Sequence, residues 1–163
     1  AFVPTVFKSS NHPEGRPRGL VYTQALVQPI GACTAPLMIG ATAAALQGQP
    51  AWGYLVWGFP AALLVATLWT HFRLSSTPAE LHFRPGQVSI RSVQDVLTKR
   101  PLEWHPLHNV RAAPEYTEIS VGWNTQICRR RDWQQYEKLK ETAQRALHSD
   151  ETSPSFAGST RAA

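Results

Sequence analysis

Few residues in this 163-residue chain stand where their types and spacing could do chemistry. His105 and His108 are three apart, as two ligands on one element are, but Pro106 lies between them and no third ligand is near. A structural zinc takes four ligands, so the pair reads as surface histidines. Glu80, Glu103, Glu115 and Glu118 are scattered without a companion carboxylate and read as solvated strand faces. There is no Gly-rich phosphate loop, no His-Glu-x-x-His and no Cys-x-x-Cys. His71, beside Trp69 and Phe72, has one sharper reading, as a ligand to a haem or chlorophyll-type pigment. Its other reading is an imidazole that reaches for lipid headgroups together with Arg73. Arg129-Arg130-Arg131 is the densest charge. Three such residues gain about 1 kcal/mol each near an anionic membrane surface, and they would equally dock an acidic neighbour. No catalytic group and no metal ligand set emerges, so the expectation is a protein that is not an enzyme.

The elements that must position these groups are organised around one stretch. From Gly19 to Phe72 there are 54 consecutive residues without Asp, Glu, Lys or Arg, in a chain that is 17% charged. Gln47-Gly48-Gln49-Pro50 divides it with turn chemistry. The halves, Ala25–Leu46 and Ala51–Phe72, have 22 residues each. About 20 apolar residues cross a hydrocarbon layer of roughly 30 Å, so residues 25–72 are expected to form a two-helix transmembrane hairpin. The competing reading is a pair of buried helices in a soluble bundle. Small residues recur at Gly31/Ala35, Gly40/Ala44 and Gly58/Ala62/Ala66, the rows along which helices pair in lipid. Pro29, Pro36 and Pro60 predict kinks. Trp52 and Tyr54 at one end and Trp69 at the other form an aromatic belt. Lys8, Arg16 and Arg18 precede the hairpin and Arg73 and Arg84 come after it, while its turn is uncharged. Both termini are therefore expected in the cytoplasm.

Residues 74–148 predict a small cytoplasmic α+β domain. Leu81 and Phe83 alternate with polar neighbours, Pro85-Gly86 turns the chain, and Val88 and Ile90 alternate again. A further strand is expected over 96–100, a fourth element over 102–111 carrying Trp104, Leu107 and Val110, then a hairpin about Gly122-Trp123-Asn124. Asp132 with Gln135 has capping-box spacing, and Trp133, Tyr136, Leu139, Ala143 and Leu147 make one helix face. Trp104, Trp133 and Tyr136 are expected to pack together. Cys33 falls in a span and Cys128 in a strand, which predicts free thiols and a reducing compartment for the soluble part.

Residues 1–24 and 149–163 are rich in Pro, Gly, Ser and Thr and predict extended arms. The polar start predicts no cleavable leader. Phe2, Val3, Phe7 and Phe156 are the apolar anchors by which such arms would bind neighbouring subunits. The basic residues are not interleaved with a stacking platform, so nucleic acid is not an expected partner.

Glu80-Leu81-His82-Phe83-Arg84-Pro85-Gly86-Gln87-Val88-Ser89-Ile90, then Glu103-Trp104-His105-Pro106-Leu107-His108-Asn109-Val110, then Gln126-Ile127-Cys128-Arg129-Arg130-Arg131 leading into the last helix, carry a resemblance. The chain resembles small bacterial membrane proteins with a two-helix hairpin followed by a pleckstrin-homology-like (PH-like) C-terminal domain. The resemblance implies a PH-like antiparallel sheet closed by one C-terminal helix, and a place in the bacterial cytoplasmic (inner) membrane. It implies no catalytic residue.

The functional expectation is a non-catalytic accessory or structural subunit of a multi-subunit bacterial membrane complex. The complex is expected to be bioenergetic, either photosynthetic (reaction-centre or light-harvesting) or respiratory, with this chain tying subunits together through its arms and spans. Its partners would be other membrane subunits and the bilayer, with bound lipid and, through His71, a pigment or haem. The alternative is a stand-alone membrane protein whose PH-like domain senses lipid headgroups or a signal through Arg129–Arg131.

Overall fold

The computed structural model describes residues 5–151, with side chains for residues 5–149. The chain divides into two compact units: a helical unit of Pro13–Thr77 with Ser92–Lys99, and a sheet unit built from the rest.

In the helical unit, helix α1 (Arg18–Leu46) and helix α2 (Phe59–Ser76) are antiparallel partners. Helix α1 starts after Pro17, whose fixed φ suits a helix entrance, and stops where Gly48 takes φ +71°. The Gly48 and Gln49 amides close the end on the Ala45 and Ala44 carbonyls at 3.1 and 2.9 Å. A π-helical turn, Tyr54–Gly58, leads into α2. Pro60 comes just after it and has no N–H to give the preceding turn, and a widened turn is one way a helix absorbs that loss. The row Gly58/Ala62/Ala66 continues through Thr70 and Leu74 as the covered face of α2. A methyl group on Gly58 would come within 2.2 Å of the end of the Leu37 side chain, which would have to move to admit it. Ala41 and Ala44 are buried on α1, and a methyl group on Gly40 would meet the Tyr54 ring at 3.4 Å. The third expected row, Gly31/Ala35, is unused, with open space around Gly31.

The expected strand over 96–100 is instead the short helix α3 (Val93–Leu97). Ser92 and Asp95 form a reciprocal capping box, with Ser92 Oγ accepting from the Asp95 amide at 3.1 Å and Asp95 Oδ2 accepting from the Ser92 amide at 3.1 Å. The Val93 amide donates to the Thr77 carbonyl at 2.9 Å and Tyr22 hydrogen-bonds Gln94, which ties α3 to α1 and to the end of α2.

The sheet unit has six strands: β1 (Thr5–Lys8), β2 (Pro78–Arg84), β3 (Gln87–Ser92), β4 (His105–Ala112), β5 (Tyr116–Val121) and β6 (Asn124–Arg129). They lie in the order β1-β2-β3-β4-β5-β6, and the registered ladders are antiparallel. Gly86 and Gly122 take φ of +67° and +55° at the two tight turns. One face carries the core: Leu81, Phe83, Val88, Leu107, Ile119 and Cys128, among others. Helix α4 (Tyr136–Glu151) lays Tyr136, Leu139, Ala143 and Ala146 on it at helical spacing. The Tyr136 hydroxyl donates to the Ala113 carbonyl at 2.8 Å and lies 2.9 Å from Thr117 Oγ1, so the buried phenol is satisfied.

Three readings change here. The first 24 residues are not one extended arm: β1 joins the sheet, Thr5 opposite Phe83 and Lys8 opposite Glu80, and α1 already begins at Arg18. Trp133 is buried, but a 3-10 turn (Arg130–Asp132) precedes it and α4 starts only at Tyr136, so Asp132 does not cap that helix. Trp104 stays out of the core and lies against the Arg84 guanidinium, 4.0 Å from ring centroid to Cζ.

Candidate functional site

The residues singled out by type and spacing are dispersed. His71 lies exposed on α2 with its ring edge-on to Phe72, centroids 6.2 Å apart. Among the described residues no group of three or more His, Cys, Asp or Glu is arranged to hold a metal ion. His108 is not a free surface histidine: its Nδ1 takes the Gly122 amide at 3.3 Å, bracing the β5–β6 turn. Phe2, Val3 and Phe156 lie outside the described residues.

Phe7 cannot serve as an anchor for a partner. It is 3% exposed and packs edge-on against Phe83 with centroids 5.9 Å apart. Alternation along β1 turns Phe7 into the core and leaves Val6 outside, which a lone apolar cluster in a polar arm did not reveal.

Arg129, Arg130 and Arg131 are exposed at the end of β6 and in the turn after it. Arg130 approaches Glu137 at 3.9 Å and Arg131 approaches Asp132 at 3.7 Å, both loose surface pairs. Arg129 makes no ion pair or side-chain hydrogen bond to any described residue. With Arg131 it borders an open groove of about 530 Å³, completed by Glu115, Tyr116, Glu118 and Ile127. The groove lies across β5 and β6, where Tyr116 stands opposite Arg129 and Glu118 opposite Ile127. Apolar floor, one uncommitted guanidinium and two flanking carboxylates suit recognition of a chain segment better than chemistry on a small molecule.

The most organised set of charges is elsewhere, and residue types alone did not reveal it. Glu80, read as part of a solvated face, is 8% exposed on β2. Its Oε1 lies 2.7 Å from His12 Nε2, and its Oε2 lies 3.1 Å from both His82 Nε2 and Arg91 Nη1. Arg91 also donates from Nη2 to the Arg100 carbonyl at 3.0 Å. Burial pushes the Glu80 carboxyl up, but the hydrogen bonds from His82 and His12 and the charge of Arg91 together outweigh it and hold the group below its usual range. Strand alternation sets Glu80 on the face opposite the buried Ala79, Leu81 and Phe83, so nothing in its own strand marked it as buried, and its partner His12 is 68 residues away. The cluster holds the N-terminal segment against the sheet, together with Ser9, whose amide donates to the Ala79 carbonyl and whose hydroxyl donates to the Pro78 carbonyl, each at 2.8 Å.

Cys128 is buried and its thiol is pushed up to about 12, by desolvation first and then by Asp132, which makes it inert rather than nucleophilic. Compared with protein-family models, with curated proteins and with solved structures, the chain matches none.

Proposed function

We propose that this chain is a two-span membrane protein acting as a non-catalytic accessory subunit of a larger membrane complex, with a bioenergetic complex as the expected setting. One observation carries the proposal. Both long helices are apolar enough to cross a bilayer, yet only 17% and 11% of their most apolar stretches are buried within the protein. Val27, Met38, Ile39, Leu46, Trp57 and Leu64 point outward. Apolar surface left in water costs about 25 cal/mol per Å², so lipid or neighbouring helices must cover these faces. The open Gly31/Ala35 row supports a neighbouring helix in particular, because small residues let backbones approach in lipid. The uncharged turn, with Arg18 and Arg73 at the opposite end, supports cytoplasmic termini. The six-stranded sheet followed by a helix is compatible with a PH-like arrangement, which in this reading faces the cytoplasm and contacts other subunits.

The test is extraction of the untagged protein from its native membrane in mild detergent. Co-migration with several stoichiometric subunits supports the proposal, and a lone monomer or homodimer refutes it. An absorption spectrum of the same material, from the visible to the near infrared, decides whether a pigment or haem accompanies it. A second reading, headgroup sensing, is favoured by the exposure of Arg129–Arg131 and their loose pairing.

A further inference from the structure

The β5–β6 hairpin ends the sheet, and its outer edge is open. Gly122-Trp123 is a two-residue turn, so Val121 and Asn124 form the closing hydrogen-bonded pair. Antiparallel ladders alternate from such a pair, and the register runs without a bulge to Tyr116 opposite Arg129. Thr125, Ile127 and Arg129 therefore aim their backbone N–H and C=O groups away from β5. Among the described residues no strand lies beyond β6. The one contact these outward groups receive from a described residue is the Gln126 side-chain amide on the Ile127 carbonyl at 3.4 Å. Exposed edges are ordinarily blunted by proline, bulges, charged side chains or a covering element. Among the described residues β6 has only Arg129 at its end, and pairing resumes past it, where Trp133 bridges Ser9 and the Asp132 carbonyl takes the Ser10 amide at 2.8 Å.

The side chains of the same three residues stand on the groove face. Ile127 is 50% exposed beside Tyr116, and Arg129 has an uncommitted guanidinium at the strand's end. Trp123 at the hairpin tip is fully exposed.

We infer that the β6 edge is a docking site for an extended segment of a partner subunit, which adds to the sheet as a further strand. An apolar side chain of that segment lies against Ile127, and an acidic side chain meets Arg129. Main-chain pairing supplies affinity in this mode of recognition, and alternate side chains supply specificity. A carboxylate suits the planar guanidinium, which offers paired donors. An anionic membrane is the poorer occupant: it would leave the backbone groups unpaired and would meet Glu115 and Glu118 in the same groove. The inference rests on the accessory-subunit reading and names what the sheet unit would grip.

The experiment uses the full chain in phosphatidylcholine nanodiscs and a fluorescent peptide, acetyl-Ser-Asp-Thr-Val-Thr-Val-Ser-amide, whose Asp and central Val share one strand face as Arg129 and Ile127 do, read by anisotropy. Saturable binding is expected, weakened about tenfold by Arg129→Glu and restored on that variant by a peptide with Lys in place of Asp. Ile127→Pro should abolish binding while leaving the β5 ladder intact, because the amide it removes points outward. Three results would overturn the inference: no saturable binding, equal binding of a peptide with proline at its central Val, or unchanged peptide binding by Arg129→Glu with loss of phosphatidylglycerol-vesicle binding. The last assigns the arginines to headgroups. Failure of the peptide with subunits still co-migrating in detergent defeats the edge inference alone, whereas a chain that migrates by itself defeats the subunit reading beneath it.

Discussion

Replacing Glu80 with Gln should unpin the N-terminal strand. The substitution keeps the side-chain volume, removes the charge, and turns one of two acceptor oxygens into a donor that faces donors. Three hydrogen bonds converge on this carboxylate, at 2.7, 3.1 and 3.1 Å, from His12, His82 and Arg91. Removing one partner of a buried ion pair typically costs about 3–5 kcal/mol. The low end applies, because Arg91 keeps its bond to the Arg100 carbonyl and its side chain is 18% exposed. About 3 kcal/mol in a unit of this size corresponds to a fall in melting temperature of roughly 12–24 °C. Because the carboxyl is held below its usual range, it binds a proton less readily folded than unfolded. Its contribution is present in full above the unfolded value of about 4.3 and is lost as pH falls through the lower folded value. The gap between wild type and Glu80→Gln should therefore be full at pH 7 and close at more acid pH. Circular dichroism melts of the full chain in detergent at pH 7 and pH 3.5 measure it, and amide exchange over residues 5–12 locates it. A gap under about 1 kcal/mol at pH 7, or the same gap at both pH values, would show that the cluster is solvated and holds nothing.

Trp133→Ala should cost about 3–5 kcal/mol, since the indole is 3% exposed between the sheet and α4; an unchanged melting temperature would refute its place in the core. Cys128 should resist alkylation at pH 8 in the native protein and react once urea unfolds the sheet, whereas native reaction at the rate of a free thiol would show that it is not buried. For topology, Gln49→Cys in a background without native cysteines should be labelled by an impermeant reagent added outside intact cells. Labelling of Ser153→Cys under those conditions would reverse the orientation.

How much could be read from sequence differs by element. The two long helices were legible because their cause is local and cumulative: 54 residues without a charge can take few other forms. The turns at Pro85-Gly86 and Gly122-Trp123 and the apolar face of α4 were legible for the same reason, through residue type and short-range period. The failures all involve partners distant in sequence or short elements with ambiguous periods. Val96 and Leu97 fit a strand as well as one turn of helix, and the Ser92–Asp95 capping box decided for helix. Phe7 gives no sign in its own segment that Phe83 is its partner, and Glu80 gives none that His12 is.

By itself, then, the sequence determined the long apolar hairpin and the α+β character of residues 74–148, both consequences of composition and period. Only the tertiary structure decided which polar groups are buried and which edge is left over. Burial depends on what lies across the sheet, so Glu80 became a buried junction and Phe7 a core residue once β1 paired with β2. An edge belongs to strand order alone, and that order left the outward groups of Thr125, Ile127 and Arg129 without a neighbouring strand among the described residues.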